Sequence, residues 1–165
     1  MDEKMLVLLC GKMGAGKSTK AIELANERNA VLISEDVWLS SLYPDQIVSI
    51  EDYMRLSKVI KPLVKPLVQD ILKSGANVVM DFPANTVGQR QWLKSIFSEI
   101  EARHELIYLK VADEVCLQSI AKRRIEQPKR AATDTEDMFL RVTKYFVEPS
   151  PNEGFNITLI ERHTS

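Results

Sequence analysis

Residues 11–18 read Gly-Lys-Met-Gly-Ala-Gly-Lys-Ser, a complete G-x-x-x-x-G-K-[ST] phosphate-binding loop. Three of the six glycines in the chain fall inside it, so glycine is placed rather than scattered. Gly11, Gly14 and Gly16 permit backbone angles that other residues resist and turn main-chain N–H groups inward toward a polyphosphate. A helix opening near Gly16 adds unpaired N–H groups and the positive end of its dipole. Lys17 can reach the β- and γ-phosphates, and the Ser18 hydroxyl can ligate Mg²⁺. The binding segment is therefore Gly11, Lys12, Met13, Gly14, Ala15, Gly16, Lys17, Ser18 and Thr19.

Two acidic residues and one basic cluster could complete the chemistry of phosphoryl transfer. Asp81 ends the apolar run Asn77-Val78-Val79-Met80, where a carboxylate reaches a loop-bound Mg²⁺, usually through its water shell. Asp36 follows Val31-Leu32-Ile33 and is the candidate general base for a substrate hydroxyl, with Glu35 an adjacent competitor. Ser34 or Asp36 would equally suit the cap of a short helix over 37–42. Lys122, Arg123, Arg124, Lys129 and Arg130 crowd one stretch. A mobile arginine there would spread the charge of the transferring group, and Arg123 is the first choice. Arg55, Asn85 and Arg90 could face a substrate, and Trp38, Tyr43 and Phe82 could line its pocket. His104 and His163 carry no metal or triad spacing.

These residues need a scaffold that brings strand ends together. Short apolar runs rich in Val, Ile and Leu predict strands over 5–10, 30–33, 77–80, 105–109 and 156–160, covered on both faces. Helical patterns intervene over 17–28, 51–73, 86–100, 113–124 and 135–147. The long one places Leu56, Ile60, Leu63, Leu67 and Ile71 on one face, with a kink or fresh start at Pro62 and Pro66 and an end at Gly75. Thr86 and Gln89 have capping-box spacing, and Asp113 is placed to cap its helix. The alternation predicts a parallel sheet wrapped by helices, with ligands beyond the carboxyl ends of the strands. A single domain over 1–165 is expected, with a small lid over about 122–134.

Composition narrows the class. Net charge of −1 argues against a general nucleic-acid or membrane surface. No apolar run approaches the roughly 20 residues a membrane span needs, and Met-Asp-Glu-Lys at the start lacks a signal pattern. Cys10 and Cys116 read as reduced core thiols, so the expected compartment is the cytoplasm.

The chain resembles the small P-loop kinases, a group that includes polynucleotide kinase, gluconate kinase, chloramphenicol phosphotransferase and the zeta-toxin kinases. It resembles more closely a group of bacterial ATP-binding proteins of unassigned substrate, through Ser34-Glu35-Asp36-Val37-Trp38-Leu39, Leu42-Tyr43-Pro44, Asp81-Phe82-Pro83-Ala84-Asn85-Thr86, Gln89-Arg90-x-Trp92-Leu93 and Glu153-Gly154-Phe155-Asn156. The resemblance implies a three-layer α/β/α P-loop NTPase fold, a five-stranded parallel sheet ordered 2-3-1-4-5, and ATP with Mg²⁺. It supports Asp36 as base and Arg123 as a phosphate contact. One departure is Ser119, where the group carries a further arginine. The expected reaction transfers the γ-phosphate of ATP to a hydroxyl of a small molecule. Two other readings stay open: an adenine-nucleotide switch or ATPase with a protein partner, and a kinase of nucleic-acid or nucleotide hydroxyls. No Asn-Lys-x-Asp guanine element occurs.

Overall fold

The computed structural model describes residues 4–163, so the acidic residues at the very start lie outside the described part. Five strands form one sheet: β1 (Met5–Cys10), β2 (Ala30–Ser34), β3 (Asn77–Asp81), β4 (Arg103–Val111) and β5 (Ile157–Arg162). Their order is β2-β3-β1-β4-β5, and every neighbouring pair is parallel. Six α-helices connect them: α1 (Lys17–Glu27), α2 (Glu35–Leu42), α3 (Ile50–Lys73), α4 (Val87–Ser98), α5 (Asp113–Glu126) and α6 (Glu136–Thr143).

The period-two alternation of β1 divides the core. Leu6, Leu8 and Cys10 face Leu39, Leu56, Ile60, Val64, Leu93 and Ile96 of α2, α3 and α4. Val7 and Leu9 face Ala21, Leu24, Cys116, Ile120 and Phe139 of α1, α5 and α6. The result is the three-layer α/β/α P-loop NTPase fold. β1 and β3 are covered on both faces, whereas β5 is exposed along most of its length, against the expectation of two-sided burial. Among the described residues it is an edge strand, with β4 its only neighbour in the sheet.

α3 corrects two expectations. It runs unbroken through Pro62 and Pro66. Both prolines sit on the exposed side, so the carbonyls that lose a helical donor can turn to water. Its buried stripe is Leu56, Ile60, Val64, Val68 and Leu72, while Leu63 is 63% exposed and Leu67 38%. Two adjacent stripes of α3 are apolar, and spacing alone does not choose between them; packing against β3 and α4 does.

The helix ends follow local chemistry. Ser34 caps α2 by accepting from the Val37 N–H at 3.3 Å, which leaves Asp36 inside the first turn. The Thr86–Gln89 capping box forms, and Gly75, at φ +99°, follows the last turn of α3. Asp113 is instead the first residue of α5, with Ala112 at the cap position, and its carboxylate pairs with Lys12. α6 stops at Thr143, four residues short of the expected end. No helix among the described residues is long and apolar enough to cross a membrane.

Candidate active site at the carboxyl ends of the strands

The turn between β1 and α1 is shaped by its surroundings. Gly11 is buried, and its N–H donates to Asn85 Oδ1 at 3.0 Å, so that amide is taken by the protein itself. The Cys10 thiol donates to the same oxygen at 3.6 Å. Burial pushes that thiol up to about 11, which keeps it protonated. Gly14, at φ +81°, leaves no room for a side chain: a Cβ would lie 2.5 Å from the Cys116 carbonyl oxygen and 2.9 Å from Ile120 Cγ1. The loop is thus seated directly on α5. Gly16, at φ +95°, occupies the cap position of α1 without a side-chain cap. The first-turn N–H groups of α1 therefore stand ready for an anion.

Lys17 opens α1, and its ammonium makes no ion pair among the described residues. Lys12 is pinned by Asp113 at 2.9 Å and lies over the Phe146 ring. Met13 packs on the α1–α5 core, and Ala15 is buried. The Ser18 hydroxyl donates to Asp81 Oδ2 at 2.7 Å. β2 and β3 end in register, Ser34 opposite Asp81, so Asp36 emerges at the same edge. A cleft of about 510 Å³ runs between the loop and α5. Gly14, Gly16, Thr19, Ser119 and Arg123 are among its lining residues.

Beside this cleft four charged side chains form a chain. Arg123 donates from Nε and Nη2 to the two oxygens of Asp134, both at 2.8 Å. Arg130 donates from Nε to Asp134 Oδ2 at 2.8 Å and from Nη1 to Asp36 Oδ2 at 3.0 Å. The Asp134 side chain is fully buried, whereas that of Asp36 is 63% exposed. Asp134 is absent from the sequence candidates. Its only signal is a position four residues beyond Arg130, a spacing that ordinary helix surfaces also show.

Other candidates prove to be framework. Glu35 is buried and accepts from Tyr53 and from Ser57, the latter at 2.8 Å. Burial holds its carboxyl above the usual range, and both oxygens are occupied, so it is poorly placed to compete with Asp36 as base. Arg90 has no exposed surface; it donates to Glu153 Oε1 at 2.8 Å and to the Ala84 carbonyl at 2.9 Å. Phe82 is buried. Asn85 joins three segments, since its own carbonyl also accepts from the Val147 N–H at 2.8 Å.

A strand–loop–helix phosphate site at the edge of a parallel sheet defines the class: a P-loop nucleotide-binding protein of kinase type. The chain belongs to the AAA domain family, whose model matches residues 6–149. It is 26% identical over 164 residues to an adenylate kinase of Jannaschia sp. (strain CCS1), covering 92% of this chain and 85% of that one. A solved structure from Chloroflexus aurantiacus shares the fold at a TM-score of 0.74 with 18% identity, covering 98% of this chain and 86% of that one. The APS kinase CysC of Mycobacterium tuberculosis, solved with AMPPNP and APS, matches at 0.66 with 13% identity, covering 98% and 90%. The resemblance to the small P-loop kinases and the predicted strand order both hold.

Proposed function

We propose that this protein is an ATP-dependent kinase that transfers the γ-phosphate to a hydroxyl of a small molecule. The observation that carries the reading is the meeting at one sheet edge of the Ser18–Asp81 pair, the phosphate loop, and an exposed Asp36 joined to arginines beside the cleft. The residues fit the groups this chemistry requires. Ser18 Oγ and, through water, Asp81 would hold Mg²⁺, which supplies charge neutralisation on the phosphates. The uncapped first turn of α1 and Lys17 bind the phosphate oxygens. Arg123 faces the same cleft and spreads negative charge on the transferring group. Asp36 accepts the proton of the attacking hydroxyl.

Residues 122–134 would act as the lid, and 1–165 as one domain. The reduced, buried Cys10 and Cys116 fit a cytoplasmic enzyme. The adenylate kinase likeness puts nucleotides first among acceptors to try. The test is Mg·ATP turnover against pooled nucleotides, nucleosides and hydroxyl-bearing metabolites, with Lys17→Ala as blank. An acceptor that stimulates ADP release and gains a phosphoryl mass is the expected result. With it, Asp36→Asn lowers transfer about 10²- to 10⁴-fold while ATP affinity stays within an order of magnitude. Transfer at the wild-type rate in that variant would remove Asp36 from the mechanism. Tight ATP binding with no stimulation by any pool member would point to a nucleotide-dependent switch.

A further inference from the structure

The Arg123–Asp134–Arg130–Asp36 chain is electrically balanced, two guanidiniums against two carboxylates, but it is not uniform. At one end the fully buried Asp134 carboxylate takes three guanidinium hydrogen bonds, each 2.8 Å. At the other, Asp36 takes a single bond of 3.0 Å from Arg130, and its side chain is 63% exposed. An exposed ion pair in water is weak, whereas a buried carboxylate shared by two arginines is costly to disturb. Any competing anion therefore displaces Asp36 first and leaves the Asp134 end intact. Arg123, held bidentately by Asp134, lines the same cleft as Gly14, Gly16 and Thr19, so the chain begins where phosphates would lie.

We infer that Arg130 is a two-position residue: without nucleotide it neutralises Asp36, and with a triphosphate in the cleft it passes to the γ-phosphate and frees Asp36 for the acceptor. Asp134 is the positioning residue around which both arginines are set. The inference rests on the kinase reading of the site and adds regulation to it: the base becomes available only when the group to be transferred is present. No covalent change is involved. One anion replaces another on Arg130 Nη1, while its Nε stays on Asp134.

The test needs no acceptor. Mg²⁺-dependent affinities for ATP and ADP are measured by fluorescent-nucleotide displacement on the full chain. Asp36→Asn removes the competitor for Arg130. ATP should bind up to about fivefold more tightly, the factor an exposed ion pair is worth, with ADP unchanged. In an Arg130→Gln background the same change should do nothing. Asp134→Asn should cut the preference for ATP over ADP about tenfold or more, because it loosens both arginines. Thermal unfolding run alongside separates this from misfolding: a purely structural Asp134 would lower the melting temperature and leave the preference intact.

A wild-type protein that does not bind Mg·ATP would overturn the kinase reading itself. A wild type that does, combined with an Asp36→Asn effect that persists without Arg130, would overturn the exchange alone. An Asp36→Asn variant with unchanged ATP affinity would overturn it as well.

Discussion

Replacing Gly14 and Gly16 by alanine, one at a time, separates two demands on the phosphate loop. Both have positive φ, +81° and +95°, where an L-residue costs about 1–2 kcal/mol. At Gly16 that is the whole expected cost, since nothing lies within 4 Å of an added Cβ. At Gly14 the new methyl would also meet the Cys116 carbonyl at 2.5 Å and Ile120 at 2.9 Å. The first of these is backbone in α5 and cannot rotate away. Overpacking of this kind adds about 1–3 kcal/mol, giving a total of about 2–5 kcal/mol for Gly14→Ala. In thermal unfolding that is a drop of about 4–20 °C, against about 2–8 °C for Gly16→Ala, at the 2–4 °C per kcal/mol expected for a chain of this size. Urea titration supplies the free energies, and fluorescent-nucleotide titration supplies binding. Gly16→Ala is expected to fold well yet bind poorly, because its methyl projects into the open space of the cleft where an anion would sit. Gly14→Ala loses both stability and binding, since it lifts the loop from the helix that carries Arg123. Equal losses of stability in the two variants would refute the seating of the loop on α5.

Two further outcomes follow from the framework around the site. Asn85→Ala leaves the buried Gly11 N–H without its acceptor; it should cost about 1–3 kcal/mol in urea titration and weaken nucleotide binding in parallel. Retained stability would mean that the loop start finds another partner. His104 accepts the Asn156 N–H through Nε2 at 2.9 Å and stacks on Phe97. Burial, then the nearby Lys94 charge, lowers its pKa below 6.5. The folded state thus favours neutral imidazole: its contribution is complete above pH 6.5 and is lost as pH falls through the lowered value. Wild-type stability should decline more steeply below pH 6.5 than that of His104→Gln, whose amide oxygen can still accept; identical slopes would assign the decline to other groups.

The phosphate loop was legible because its chemistry is local. Eight consecutive residues carry the turn, the anion donors and the metal oxygen, and the flanking apolar run and helix pattern give them their context. The edge shared by Ser18, Asp36 and Asp81 was accessible through the βαβ alternation, which predicts a parallel sheet with ligands beyond the carboxyl ends of its strands, whereas the strand order followed from the family resemblance. Where two answers had similar local cost, the chain alone was silent. α3 offers two neighbouring apolar stripes, and only its packing chose Val64 and Val68 over Leu63 and Leu67. Two carboxylates stand side by side at 35 and 36. Tertiary contacts buried Glu35 between Tyr53 and Ser57 and left Asp36 exposed to Arg130. Asp134 had no local signature, because a buried charge is defined by partners from other segments: Arg123 lies eleven residues away, and Arg130 links onward to Asp36 across ninety-four. Sequence determined what the loop can bind, since backbone freedom and donor placement there depend on neighbours in the chain. Tertiary structure alone decided which acids and arginines stand together, since burial and pairing of charge arise only when distant segments meet.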